Sequence, residues 1–236
     1  MSNLINEMLI NCVHLGHKSN LMNKLMKPYI VDIKSELSII NLEKTNSSFI
    51  KVLNIIKKLT IMNKIILIVC NKKYTKNLIK IASKSVNLPY VNKRWLGGTL
   101  TNFESFKNSV NRIEYLKSII KMRKKIGIKK RYIYMYLKKI KSSRKLIIGI
   151  EKLKKIPDFI FIIDSKQNKN LILEAKKINI PVACVVDSDS SPLNIDFVIP
   201  GNDDSIKSIS FYIRKIIEVI KKSRELVVLK KKNENR

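Results

Sequence analysis

Three groups of residues in this sequence have types and spacings that could do chemistry. The first is Lys93 to Phe103, KRWLGGTLTNF, which holds the only tryptophan, Trp95, and the only Gly-Gly pair, Gly97-Gly98. Two glycines let a backbone turn through φ > 0 and let another backbone approach closely. Lys93 and Arg94 stand in front of the pair and Thr99, Thr101 and Asn102 behind it. Cations beside an aromatic ring, with hydroxyl and amide groups in reach, suit contact with phosphates and bases. The alternative use of Trp95 is as a core anchor beneath a tight turn.

The second group is Cys12, His14 and His17, a C-x-H-x-x-H spacing that invites a zinc reading. A closed structural site needs four ligands, and the second ligand cluster that zinc modules carry is missing. Asp187, Asp189 or Asp204 could complete a set only if the fold brought them in. The histidines are therefore expected to hydrogen-bond RNA or backbone, and no metal or other cofactor is expected. The third group is Asp164, Asp187, Asp189, Asp196, Asp203 and Asp204, which fall at strand ends and at a helix start. In an enzyme they could hold Mg²⁺ or act as acid and base. Turn and cap duty is the favoured expectation, since aspartate commonly serves there. No G-x-x-x-x-G-K-[ST] loop, glycine-rich turn after a strand or G-x-S-x-G elbow occurs, so no catalytic residue is expected.

Composition narrows the partners. Against 48 Lys and Arg stand 18 Asp and Glu, a formal charge of +30 over 236 residues. Such an excess opposes compaction unless a polyanion neutralises it, and nucleic acid does so with release of counterions. An anionic membrane surface is the weaker reading, because no single basic amphipathic helix carries aromatic anchors. Lysine enrichment also fits an AT-rich genome. Cys12, Cys70 and Cys184 are widely spaced with no C-x-x-C, and read as reduced thiols of an intracellular protein.

The elements that must position these groups follow from periodicity. Residues 3–13 have helical spacing, Ser38–Leu42 is a short strand, and a helix covers roughly 45–60. Lys64–Cys70 (KIILIVC) is a continuous β-branched run that suits a strand buried on both faces of a parallel sheet. A helix covers about 74–86, and Pro89–Val91 begins another strand. Alternation resumes at Pro157 with DFIFIID, a helix over 168–178, PVACVVD, IDFVI and a helix over about 203–222 capped by Asn202 or Asp203. Between the two halves, Phe106, Val110, Ile113, Leu116 and Ile120 form a heptad-like seam, and Ile133, Leu137, Ile140 and Ile147 a second. These predict an antiparallel hairpin whose tip carries Lys121, Arg123, Lys124, Lys125, Lys129, Lys130 and Arg131, a cationic end suited to nucleic acid. Residues 1–102 and 154–225 are expected to form a single α/β domain, with 103–153 as an inserted coiled-coil hairpin. Residues 226–236 are expected to be a frayed basic tail.

KRWLGGTLTNF, followed by a helix with Ser109 and Arg112, closely resembles the signature of the small ribosomal subunit protein two family, bacterial and organellar type. VHLGHKSNLMNKLMKPYI resembles that family's N-terminal loop, IINLEKT its first strand and helix start, and PDFIFIID its post-hairpin strand. IPVACVVDSDSSPLNIDFVIPGNDDSIKSI is similar to its C-terminal signature. The blocks are collinear from about 10 to 220. The resemblance implies a three-layer α/β/α fold, flavodoxin- or Rossmann-like, with a mostly parallel five-stranded sheet and a protruding helical hairpin. It implies a structural constituent of the small subunit with no catalytic activity, which binds small-subunit rRNA near the junction of head and body and contributes to assembly and translation. Neighbouring small-subunit proteins, including the large RNA-binding protein one of bacteria, are implied partners.

Carried over by motif, the RNA-contact candidates are His14, His17, Lys18, Lys93, Arg94, Trp95, Thr99, Thr101, Asn102 and Arg112. Lys24, Lys27, Lys124, Lys125, Lys129, Lys130 and Arg131 join them on charge. The sequence departs from the family pattern at Leu15, where an aromatic is usual. Its hairpin is unusually Lys- and Tyr-rich, and it carries no long acidic C-terminal extension, which bears on docking of protein one. The implied location is the ribosome of an AT-rich reduced-genome bacterium, a plastid or a mitochondrion. A nucleotide- or Mg-dependent enzyme built on the sheet-edge aspartates is the alternative reading.

Overall fold

A computed structural model describes residues 2–122, 130–151 and 153–234. The central sheet contains β4 (Ile66–Cys70), β5 (Tyr90–Val91), β6 (Phe159–Ile163), β7 (Val182–Val186) and β8 (Phe197–Pro200). Its order is β5-β4-β6-β7-β8, and every neighbouring pair is parallel. Strands β4, β6 and β7 are buried at every position, as their unbroken apolar runs predict. Alternation of side chains then divides the core in two. Ile66, Ile68 and Cys70 join Phe159, Phe161 and Ile163 on one face. Leu67 and Val69 join Ile160 and Ile162 on the other.

The first face is covered by α2 (Leu42–Ile61), α3 (Lys76–Ser85) and α7 (Ile206–Glu234), through Phe49, Val52, Ile56, Ile79, Tyr212 and Ile216. Helix α1 (Ser2–Ile10) adds Met8 there. The second face is covered by α6 (Lys169–Lys177) and by the base of the hairpin, α4 (Phe103–Lys121) and α5 (Lys130–Ile147). The result is three layers, helices on both faces of a parallel sheet. Phe106, Val110 and Ile113 of α4 and Ile140 and Ile147 of α5 are buried, so the seam read from the sequence is packed at its base, whereas Leu137 of the second stripe is 49 % exposed. Tip residues Arg123, Lys124, Lys125 and Lys129 lie outside the described residues.

Three expectations change. The segment around Ser38–Leu42 is strand β3 (Leu37–Ile40), but it does not join the parallel sheet. It is the middle strand of a small antiparallel sheet, with β1 (Leu15–Lys18) on one side and β2 (Ile30–Lys34) on the other. The region read as loop, 14–30, therefore contains a strand and two 3-10 turns. Helix α7 continues to Glu234 rather than ending near 222, so most of the expected tail is helical. Its apolar residues at three- and four-residue spacing stay packed as far as Ile220.

Candidate nucleic-acid interface

The KRWLGGTLTNF segment runs between β5 and α4, and one carboxylate organises it. Glu174 of α6 is 9 % exposed. Its Oε1 accepts from Gly98 N–H at 2.8 Å and from the Trp95 indole N–H at 3.2 Å, while Oε2 accepts from Leu100 N–H at 3.1 Å. Three donors aimed at one carboxylate satisfy both it and a loop with few backbone partners of its own. Gly98 sits at φ +82°, where a side chain would be strained. Asn102 then caps α4, its side chain accepting from Ser105 N–H at 3.3 Å. The Thr99 hydroxyl is buried and donates to the Leu96 carbonyl at 2.6 Å. What faces solvent is Arg94, Gly97, Thr101 and Asn102, with Lys93 half-buried.

The N-terminal loop docks on Ser188, just past the carboxyl end of β7. A Cβ on Gly16 would come within 2.7 Å of Ser188 Oγ and 3.1 Å of the Ser38 carbonyl, so any larger residue would force one of them to shift. The next amide, His17 N–H, donates to Ser188 Oγ at 2.8 Å. That close approach delivers the His17 ring into a group of carboxylates. Nδ1 lies 3.3 Å from Asp187 and 3.9 Å from Asp189, and Nε2 lies 3.0 Å from Asp204. Beside it, Lys72 Nζ is 3.1 Å from Asp164, 3.4 Å from Asp203 and 2.5 Å from Asp204. Lys166 completes the set on Asp189 at 2.8 Å.

This cage occupies the carboxyl ends of β4 and β6, from which the chain runs to opposite sides of the sheet. Doubly wound proteins keep their ligand crevice at that switch point. Here an ammonium and an imidazolium fill it. The Asp187 carboxylate first, with Asp189 and Asp204 adding to it against the penalty of burial, raises the His17 pKa to about 9. Burial opposes the charge on Lys72, but Asp203, Asp204 and Asp164 outweigh it and lift its pKa above the ordinary lysine value. Burial and the nearby Asp187 push Asp203 well above the usual carboxylate range, with Lys72 pulling the other way. Burial lowers the His14 pKa, which favours its neutral form. The Cys12 thiol lies at the Ile10 carbonyl instead of joining the histidines. Among the described residues no His, Cys, Asp or Glu group is arranged to hold a metal.

The aspartates also serve the backbone, as their positions predict. Asp164 accepts from Gln167 N–H at 3.0 Å, and Asp196, outside the cage, accepts from Val182 N–H at 2.8 Å. Neither of the two proposed caps holds an amide of α7 itself: Asn202 accepts from Asp204 N–H and Ser205 N–H at 2.8 and 2.9 Å, closing the turn that leads into the helix at Ile206.

The structure thus sorts the sequence-derived candidates. Lys18, Lys24, Lys27, Arg94, Thr101, Asn102, Arg112 and Arg131 are exposed, and Lys93 is half-buried. Trp95 is 7 % exposed and packs in the core, so its ring is an anchor and offers no stacking face. Thr99 is buried beneath the same loop, and both His17 nitrogens face carboxylates. Lys124, Lys125 and Lys129 lie outside the described residues, and Lys130 is placed only as the first residue of α5. Sequence reading missed Glu174 and Lys72. The signal for Lys72 was its place two residues past the end of buried strand β4, at the sheet edge where the aspartates gather.

Between the loop and α4 lies an open cavity of about 520 Å³, lined by Leu96, Gly97 and Gly98 on one side and Asn102, Ser105 and Arg112 on the other.

Comparison with known proteins agrees with this geometry. Residues 8–223 match the family model described as ribosomal protein S2. The chain is 36% identical over 217 residues to the small ribosomal subunit protein uS2 of Francisella tularensis subsp. novicida, covering 92% of this chain and 91% of that protein. It is 36% identical over 219 residues to the protein of the same name from a Nitratiruptor species, covering 92% of this chain and 82% of the relative.

Proposed function

The chain belongs to the ribosomal protein S2 family, and we propose that it binds small-subunit ribosomal RNA through the cations of loops 93–102 and 14–30 and of the hairpin. Membership makes it a structural component of the small ribosomal subunit, acting in translation, and not an enzyme. No described helix is long and apolar enough to cross a membrane.

The observation that carries the RNA reading is the division of labour in the 93–102 loop. Trp95, Gly98 and Leu100 are tied inward to Glu174, while Lys93 and Arg94 remain without an ion pair among the described residues. A loop held rigidly by its apolar half presents its cations without a further ordering cost. Folded RNA is read mainly through backbone shape, which suits fixed cations better than base-reading side chains. The switch-point crevice, filled by Lys72 and His17, gives the enzyme reading no place to act.

Neighbouring small-subunit proteins, and in bacteria the large RNA-binding protein one, are proposed partners. The exposed apolar residues Val31 and Ile33 on edge strand β2 offer such a protein contact. The Lys-, Asn- and Ile-rich composition fits a gene of an AT-rich reduced bacterium, a plastid or a mitochondrion. The test of the RNA reading is the pair Lys93→Glu and Arg94→Glu in the full chain. The isolated protein should keep its melting temperature, and incorporation into small subunits should fall. Normal incorporation would remove this loop from the interface.

A further inference from the structure

We propose that the cavity between the glycine loop and α4 is a seat for one unpaired nucleotide of the bound RNA. Its base would lie against the apolar floor, and its phosphate would meet Arg112. The proposal rests on the RNA-binding reading above and gives it a specific site. The cavity, about 520 Å³, is the size of small-ligand pockets and can hold a nucleotide.

Its lining has the two halves that a nucleotide needs. Phe106, Ile113, Leu116 and Ile147 supply apolar surface for a base face. Asn102, Ser105 and Ser109 line the polar side with amide and hydroxyl groups, and Arg112 supplies a charge. Among the described residues no carboxylate lines the cavity. Arg112 is exposed and has no ion pair among the described residues. Lys93 and Arg94 lead into the lining at Leu96, so the nearby charge is positive as well. An anionic ligand is favoured over a neutral or cationic one. RNA recognition commonly places splayed bases on a flat apolar or aromatic surface with phosphate held by arginine.

Gly97 supplies the independent observation. Gly98 needs glycine for its positive φ, but Gly97 does not lie in that region. A Cβ on Gly97 would meet nothing nearer than Glu174 Oε1 at 4.0 Å, an ordinary contact, and the residue is exposed. The fold therefore makes no steric demand for glycine there. Gly97 lines the cavity, so a branched side chain at this position tests whether the wall must stay low. A Cβ on Gly98 would likewise project into open space, with no atom within 4 Å.

The test uses the full-length protein with Gly97→Val and Arg112→Gln, and two probes: a fluorescein-labelled single-stranded oligouridylate of about twelve nucleotides and an RNA duplex of the same length. Melting temperature and the emission of Trp95, the only tryptophan, report whether each variant keeps the folded loop. The wild-type chain should prefer the single strand. Gly97→Val should lose about tenfold on that probe, the scale of one base contact, and leave duplex affinity unchanged. Arg112→Gln should weaken single-strand binding in the same way. Equal affinities of wild type and Gly97→Val for the single strand, with both proteins folded, would overturn the site while leaving RNA binding intact. Failure of the wild-type chain to bind purified small-subunit rRNA would instead overturn the RNA reading on which the site rests.

Discussion

Glu174 Oε1 and the Gly98 amide, 76 residues apart in sequence, meet at 2.8 Å. That bond ties α6, which packs on the parallel sheet, to the loop that opens the hairpin. Body and hairpin are thereby coupled through one carboxylate that also holds the Trp95 indole and the Leu100 amide.

Replacing Glu174 by Ala should leave three donors without this acceptor, two of them on residues at least nine-tenths buried. Each unsatisfied buried donor costs about 1–3 kcal/mol, and relaxation recovers part of it. The expected loss is about 2–4 kcal/mol in urea unfolding, with a red shift of Trp95 emission in the native baseline as the loop loosens. Glu174→Gln should lose less, since it retains one acceptor oxygen. An Ala variant of wild-type stability would mean that the carboxylate merely occupies the site.

How much of this was open to sequence reading depends on the range of the interaction. The β-branched runs of β4, β6 and β7 announced a parallel sheet, because burial on both faces leaves no room for alternation. Asn202 was readable as a polar residue at the entry to α7 because its partners lie two and three residues away, although it closes the turn before the helix and does not cap the helix itself. Glu174 was not readable. In KNLILEAKK it looks like a solvated helix residue, and only the fold brings it beneath a loop far upstream. Lys72 was hidden similarly in NKKYTKN, a stretch that resembles ordinary cationic surface. Segment 37–40 was correctly strand-like, but local pattern cannot choose between sheets, and the turn at Ser35 and Glu36, both at positive φ, pairs it with β2.

Lys72→Met should be among the more damaging single changes. It would leave Asp164 and Asp203, both about 2 % exposed, facing each other without their shared cation. Breaking one partner of a buried ion pair typically costs about 3–5 kcal/mol. The loss should shrink in mild acid, where Asp203 takes up a proton readily because its pKa already lies above the usual range. Chemical unfolding of both proteins at pH 5 and pH 8 measures the difference. An equal loss at the two values would mean that the cage is not governed by charge.

Gly16→Ala tests the docking of the N-terminal loop. The new methyl would press on Ser188 Oγ and on the Ser38 carbonyl, contacts of 2.7 and 3.1 Å, the second of them with backbone. Overpacking of this kind costs about 1–3 kcal/mol. Adding Ser188→Gly should recover only part of it, because the backbone contact at Ser38 remains. Full recovery would show that loop to be more compliant than its hydrogen bonds imply.

His17 makes stability depend on pH with a definite sign. Its folded pKa is raised from 6.5 to about 9. The protonated ring thus contributes stability that is fully present below pH 6.5 and is lost as pH rises through 9. Melting temperature should fall over that window, and His17→Gln should flatten the fall while lowering stability at pH 6. A wild-type profile that stays level from pH 6.5 to 9.5 would show that the ring is not charged in the cage.

The cage also separates two kinds of cation that composition alone counts together. Lys72 is spent on aspartates, whereas Lys93 and Arg94 have no ion pair among the described residues. Only free cations release counterions when RNA binds, at about 0.9 in the log–log salt slope for each duplex phosphate neutralised. Lys93→Gln with Arg94→Gln should therefore lower the magnitude of the slope for small-subunit rRNA by about 2. Lys72→Met, assayed below its melting temperature, should leave the slope unchanged despite removing the same formal charge as either single change. The contrast holds even though the whole chain carries +30, because salt dependence counts contacts made with phosphate and not charges carried. Equal reductions from caged and free residues would mean that a diffuse field, and no particular loop, holds the RNA.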